Sequence, residues 1–311
     1  VSAITAVDEI SVPYPGRAAP AEVAVIGTGA IGRDLVGKID RSQVLTCGLV
    51  AGRDPDSEGL AYAARLGCPT SAGGIDAVLA QADRFAVVFD ATNAMSHLAH
   101  WRLLEPSGVL LVDLTPSRVG RFVVPSVTGT DAASARNVSL VSCGGQASVP
   151  VVHALAARFR LEYVEVVSTV ASDIAGRATR LNLDEYVATT QHALTEFSGV
   201  RDVKAILNIS PAVPSATFRT AVHAIVPGAT TEAVRPVIEE AAARVREFAP
   251  GYRVSACTVT GDRLVVCVEV AAVSDVLPPY AGNLDLIGSA AVLVAEQHAV
   301  RCAAAGQEAH A

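Results

Sequence analysis

The 311-residue sequence lacks most of the features that fix a function class at sight. It has no run of lysine or arginine, and its formal charge of −7 leaves no electrostatic footprint for a nucleic acid. Charged residues make up only 18%, while 51% are hydrophobic, which excludes a disordered chain and supplies an ample core. Long apolar runs are missing as well. The longest uncharged one near the C-terminus, Leu286 to Ala295, is too short to span a bilayer and reads as a buried helix. The first residues have no basic start and carry Asp8 and Glu9 before any long apolar run, unlike a signal peptide.

None of the six cysteines (Cys47, Cys68, Cys143, Cys257, Cys267 and Cys302) forms a CxxC pair, and the seven histidines are scattered without an HExxH. The sequence therefore predicts no disulfide scaffold and no metal. Reduced thiols, a cytoplasmic location and no membrane or nucleic-acid partner are the expectation. Neither an internal repeat nor a low-complexity tract is present beyond Ala303 to Ala305.

What is present is a rhythm. At roughly 150 residues per domain the length predicts two domains. Pro13, Pro15, Gly16 and Pro20 mark residues 1–20 as an N-terminal arm. Short β-branched runs follow at Val23 to Ile26, Leu45 to Val50, Phe85 to Asp90, Val109 to Leu114 and Val138 to Val141, with helical patterns between them. That alternation predicts a Rossmann-type α/β domain with a doubly wound parallel sheet over 21–142. Beyond Cys143, strands come in runs, with a hairpin around Gly261-Asp262. This predicts an α+β second domain with a mainly antiparallel sheet over 143–284, serving catalysis and dimerisation. A last helix over 285–303 is expected to return to the first domain.

Two motifs carry chemistry. Gly27, Gly29 and Gly32 follow a predicted strand and open a predicted helix, which is the context a GxGxxG needs to bind a dinucleotide. The first glycine permits the turn, the second lets the backbone approach a pyrophosphate, and the third allows close packing. Helix N-terminal amides favour the phosphates. Past the second strand, Asp54 suits the ribose hydroxyls of NAD, while Arg53 before it can meet the 2′-phosphate of NADP. NAD is the expectation, with NADP open.

The second motif is Ser142-Cys143-Gly144-Gly145-Gln146, at the junction of the two domains. A thiol at a strand-to-helix turn meets helix amides that lower its pKa, the glycines leave room for substrate, and Gln146 can add a side-chain donor to an oxyanion. A thiolate beside a nicotinamide suggests aldehyde oxidation through a thiohemiacetal and a thioester.

At this point the chain resembles the acylating, CoA-dependent acetaldehyde dehydrogenases that partner 4-hydroxy-2-oxovalerate aldolase. The likeness rests on Val23 to Gly32, Asp54 to Leu60, Phe89-Asp90-Ala91-Thr92, Val112 to Pro116, Cys143 to Ser148, Asn182 to Tyr186, Pro250-Gly251-Tyr252 and Tyr280 to Asp285. The resemblance implies Cys143 as the acyl-thioester nucleophile and Gly27, Thr28, Gly29, Ala30, Ile31 and Gly32 around the cofactor, with Ala91 and Thr92 nearby. It implies Ala175, Gly176, Arg177, Asn182 and Asn283 near the reacting end. Short aldehydes, NAD and coenzyme A are the implied reactants, in a homodimer that also pairs with an aldolase.

The chain departs from that pattern in three places. Where the family loop usually reads Ser-Lys-Ser-Ala-Gly-Pro-Gly-Thr-Arg, this chain has Ser172-Asp173-Ile174-Ala175-Gly176-Arg177-Ala178-Thr179-Arg180. Arg177 and Arg180 there can clamp an acidic substrate group, or Arg177 can merely offset Asp173. Thr220 stands where the family has an Asp thought to assist the cysteine, and Thr cannot act as a carboxylate base. Thr220 is taken as a substrate-side residue. His223 should face away from it, and His97 is read as a surface or packing residue near a strand end. Asn208-Ile209-Ser210-Pro211 replaces the family's Asn-Pro-Ala-Glu-Pro. Two other readings stay open: a different NAD(P)-dependent oxidoreductase acting on a charged or nitrogen-containing substrate, and a non-catalytic NAD-binding partner of an aldolase.

Overall fold

In a computed structural model, residues 19–130 and 135–308 are described. The arm expected at 1–20 falls outside them except for its last two residues. Among the described residues, the first sheet comprises β1 (Ala21–Ile26), β2 (Leu45–Ala51), β3 (Thr70–Ser71), β4 (Val87–Asp90), β5 (Leu110–Asp113), β6 (Arg121–Phe122) and β7 (Asn137–Ser139). They lie in the order β3-β2-β1-β4-β5-β7-β6, every neighbouring pair parallel. The apolar run of β1 is central, and Val23, Ala24 and Val25 are fully buried. A strand covered by helices on both faces needs such a continuous run. Chain order reverses on either side of β1, which opens a crevice at the carboxyl ends of β1 and β4.

The covering helices are α1 (Ala30–Arg41), α2 (Glu58–Arg65), α3 (Gly74–Leu79), α4 (Ala94–Leu104) and the short α5 (Pro125–Thr128). Ser57 caps α2, its side chain accepting from the Leu60 N–H.

The second sheet comprises β8 (Tyr163–Ala171), β9 (Val203–Ser210), β10 (Phe218–Ile225), β11 (Tyr252–Thr260) and β12 (Arg263–Val270), in the order β11-β12-β10-β8-β9. Only β8 and β9 pair in parallel; the other neighbours are antiparallel, so the sheet is mixed. Helices α6 (Cys143–Ala156), α7 (Arg177–Leu181), α8 (Leu183–Ser198) and α9 (Thr231–Arg246) accompany it. Val152 and Leu155 of α6, Leu194 of α8 and Ile238 of α9 share a core with Val166, Val222 and Val268 from the strands. Each such side chain contributes roughly 1.5–3 kcal/mol by leaving water.

The last helix, α10 (Gly282–Glu308), packs against α1. Its Ile287, Ala290, Ala291 and Ala295 join the core of the first sheet with Val23, Leu35 and Val112. Lys38 of α1 fixes the crossing by bridging Asp34 and Asp285. Among the described residues, no helix is long and apolar enough to cross a membrane.

Candidate active site

The turn from β1 to α1 is built for close approach. Gly27 has φ of 113°, and a Cβ there would sit 2.5 Å from the Ala91 carbonyl oxygen. A Cβ on Gly32 would lie 2.0 Å from the Gly27 carbonyl oxygen, so the helix can leave the strand only with glycine at both positions. Gly29 is the N-cap of α1, and no side chain caps that end. Nothing lies within 4 Å of the place its Cβ would take. Open space above uncapped helix amides fits a pyrophosphate. Thr28 completes the turn, and Ala30 begins the helix. Arg53 and Asp54 are both exposed just past β2, and Asp54 accepts the Asp56 N–H at 3.0 Å.

A pocket at the carboxyl end of the first sheet joins this turn to the thiol. Ile31, Ala91, Thr92, Asn182 and Asn283 line it together with Cys143. The sequence reading missed Thr115 and Tyr186, which also line it. Three buried polar atoms among these residues have no hydrogen-bond partner: Thr115 Oγ1, Tyr186 Oη and Asn283 Oδ1. Buried polar atoms are normally paired, so such a cluster marks a surface shaped for a bound molecule.

Cys143 is the first residue of α6. Ser142 caps the helix, its hydroxyl accepting the Gly145 N–H at 2.9 Å and lying 2.7 Å from Thr190 Oγ1. Asn283 Nδ2 donates to Cys143 Sγ at 4.0 Å. The expected acidic thiol is not what this environment produces. Burial pushes Cys143 up to about 11, outweighing the Asn283 and Gly144 donors and the neighbouring Tyr186 hydroxyl, which favour the thiolate.

Two further expectations need correction. Gln146 is 1% exposed, and its Nε2 donates to the carbonyls of Val123 at 2.7 Å and Leu140 at 2.9 Å. With both amide hydrogens engaged in holding the turn, it has none left for an oxyanion. Arg180 likewise staples its own loop: Nε donates to the Ala175 carbonyl at 2.9 Å and Nη2 to Ser172 Oγ at 3.1 Å. Neither residue lines the pocket.

Thr220 sits behind the pocket. It is fully buried on β10, opposite Ser168 of β8, with the two hydroxyls 3.0 Å apart. His223 pairs with Glu165 in the same register and faces the other side of the sheet. Ala175 is buried and Gly176 exposed in the loop before α7. The side chain of Arg177 lies outside the described part of the structure. Ser215 donates to Asp173 at 2.6 Å.

His97 belongs to α4 rather than to a strand end, and it is fully buried, which removes the surface reading. Its Nδ1 lies 2.9 Å from Asp90 Oδ2 and its Nε2 3.2 Å from Asn137 Nδ2. His100 Nδ1 reaches the same Asp90 oxygen at 2.8 Å. Burial would raise Asp90, yet bonds from His100 and His97 hold its carboxyl below the usual range. Burial raises Asp113, its neighbour across β4 and β5, to about 6. Among the described residues, no group of three or more His, Cys, Asp or Glu is placed to hold a metal ion.

The two-sheet architecture is a fold that a solved dehydrogenase structure shares. A crystal structure of aspartate semialdehyde dehydrogenase II complexed with ASA from Vibrio cholerae matches with a TM-score of 0.61 over 90% of this chain and 98% of that one, at 13% identity. Residues 143–278 match the sequence model of "Prokaryotic acetaldehyde dehydrogenase, dimerisation". An acetaldehyde dehydrogenase from Streptomyces griseus is 69% identical over 92% of this chain and 93% of its own length. One from Pectobacterium atrosepticum is 43% identical over 88% of this chain and 94% of its own length. The chain belongs to the acetaldehyde dehydrogenase family and is an aldehyde dehydrogenase.

Proposed function

We propose that this chain oxidises a short aldehyde to its acyl-CoA with NAD, or runs the same reaction in reverse, through a covalent intermediate on Cys143. The observation that carries the reading is one pocket lined by Ile31 in the first turn of α1, by Ala91 and Thr92 past β4, and by Cys143. Thr28 to Ile31 would hold the pyrophosphate, with Gly27 and Gly32 shaping the turn. Ala91, Thr92, Ala175, Gly176, Arg177, Asn182 and Asn283 would approach the reacting end, and Arg53 the ribose. When bound, the dinucleotide supplies the hydride acceptor.

The chain's own residues do the rest. The Cys143 thiolate attacks the carbonyl carbon, and the carbonyl electrons move to oxygen. Asn283 Nδ2, which lies 4.0 Å from the sulfur, and the first amides of α6 would hold that developing charge. Loss of hydride from the thiohemiacetal leaves a thioester. Coenzyme A thiolate then displaces the Cys143 sulfur, which leaves as an anion. Thr220 cannot serve as base, and its contact with Ser168 supports reading it as a prop behind the site.

The proposal includes a homodimer formed through the 143–278 region and an aldolase partner. Sedimentation of the purified chain, alone and with a 4-hydroxy-2-oxovalerate aldolase, tests both. The reaction is tested by NADH formation from acetaldehyde and propanal, with NAD or NADP, with and without coenzyme A. Production that needs coenzyme A and disappears in Cys143→Ser supports acyl transfer. Turnover that survives Cys143→Ser refutes it.

A further inference from the structure

Tyr186 is a pocket residue that this reaction leaves without a role. It lies in the first turn of α8, is 7% exposed, and its hydroxyl makes no hydrogen bond. Its position is nonetheless tightly fixed. A Cβ built on Gly144 would fall 2.0 Å from that oxygen and 2.5 Å from Ser168 Oγ, so the phenol presses on the first turn of α6. Thr190 Oγ1 donates to the Tyr186 carbonyl at 2.7 Å and meets Ser142 Oγ at 2.7 Å, which locks the backbone from which the ring projects.

The groups facing the hydroxyl are few. Cys143 approaches it from α6, and Ser168, already bonded to Thr220, approaches it from β8. The sulfur is faced by Tyr186 from α8 and by Asn283 from α10. Among the described residues lining the pocket there is no Asp, Glu, His, Lys or Arg. Among these described residues, the donors that face an anionic sulfur are neutral. An unpaired buried hydroxyl beside a nucleophile indicates a partner that exists in only one state of the site.

We propose that the Tyr186 hydroxyl is the hydrogen-bond donor that holds Cys143 in its thiolate form. On ionisation, the S–H bond breaks and its proton passes to solvent water in the pocket. The electron pair stays on sulfur, and the Tyr186 O–H turns onto it while keeping its own proton. Once sulfur bonds to carbon, it loses its charge and the hydroxyl turns back towards Ser168. It is needed again when sulfur leaves the thioester. Burial holds the phenol well above its ordinary pKa, which suits a donor and excludes a base. The inference rests on Cys143 being the nucleophile.

The test needs neither aldehyde nor cofactor, so failure of the acyl-transfer reading would leave it standing. Iodoacetamide alkylation of Cys143 is followed across pH by mass spectrometry of its peptide, in the wild type and in Tyr186→Phe. Loss of the donor should raise the thiol pKa by about one unit, a tenfold loss of thiolate at neutral pH. The more basic sulfur is about threefold more nucleophilic, so the net rate should fall about three- to fourfold and the inflection move to higher pH. A merely structural tyrosine predicts the opposite sign, because deleting the oxygen opens access to sulfur. Alkylation at or above the wild-type rate with an unmoved inflection would overturn the proposal. Ser168→Ala is the second variant. Freed of its other acceptor, the hydroxyl should favour sulfur, and alkylation should match or exceed the wild type. A slower rate with an upward-shifted inflection in Ser168→Ala would also overturn the proposal.

Discussion

Ser142 Oγ stands 2.7 Å from Thr190 Oγ1, and this contact ties the helix that begins at the nucleophile to the helix that carries Tyr186. The same hydroxyl caps α6 through the Gly145 N–H. Ser142→Ala should lose the cap and the tie together, about 1–2 kcal/mol of stability. Urea denaturation measures that loss. Alkylation of Cys143 should slow in parallel, since the tie also holds the Tyr186 backbone. A variant as stable as the wild type would show that the tie carries no load.

Lys38 Nζ lies 2.8 Å from Asp34 Oδ2 and 2.6 Å from Asp285 Oδ1, with all three side chains at most 9% exposed. Removing the cation in Lys38→Met leaves two buried carboxylates facing each other. The cost should be about 3–5 kcal/mol at neutral pH. Burial already raises the Asp34 pKa with Lys38 present, and without it the shift grows. A raised folded pKa means stability that is full below the unfolded value and lost as pH rises. The penalty should therefore shrink on acidification, as denaturation curves at several pH values would reveal.

Asp113 gives a pH signature of its own. Its folded pKa of about 6 lies above the ordinary 3.8, so its contribution to stability is complete below that lower value and lost as pH rises towards the higher one. His97 is raised too and acts in the same direction, whereas Asp90 is lowered and loses its contribution as pH falls. Asp113→Asn removes the first component and, because the Asp113 charge helps to raise His97, weakens the second in the same direction. The variant should gain on the wild type by about 2 kcal/mol between about pH 4 and about pH 7. Melting temperatures at the two pH values test this, and parallel curves would refute it.

Gln146→Leu separates support from catalysis. It leaves the Val123 and Leu140 carbonyls without their buried donor, at about 2–3 kcal/mol. Cys143 alkylation in the folded variant should keep the wild-type rate. A large fall in that rate without loss of stability would return Gln146 to the site.

Local chemistry explains what the sequence made legible. The β-branched run of β1, the two obligatory glycines and the start of α1 lie within one short stretch, and so do Ser142, Cys143 and Gly144. Alternation along β10 placed Thr220 and His223 on opposite faces, as the register shows. The two-residue strands β3 and β6 are too short to display a period. Thr115, Tyr186 and Asn283 come to the thiol's pocket from three distant segments, and Asn283, 140 positions from Cys143, was legible only through the family resemblance. The acidity expected of Cys143 failed for a related reason. A helix start can be read locally, but the burial that overrides it comes from the whole pocket. Gln146 and Arg180 looked free because the carbonyls that occupy them carry no sequence signal.

The docking of α10 on the first sheet sets an order of events at the ribosome. Strands β1 to β7 are complete once Ser139 has been added, but the wall formed by Ile287, Ala290, Ala291 and Ala295 does not yet exist. At about 5–20 residues per second, that wall follows on the order of ten seconds later. Throughout that interval the nascent sheet exposes Val23, Leu35 and Val112 on the side that α10 will close. The half of the molecule that is translated first thus waits for the last helix, and its apolar face is what a chaperone would meet.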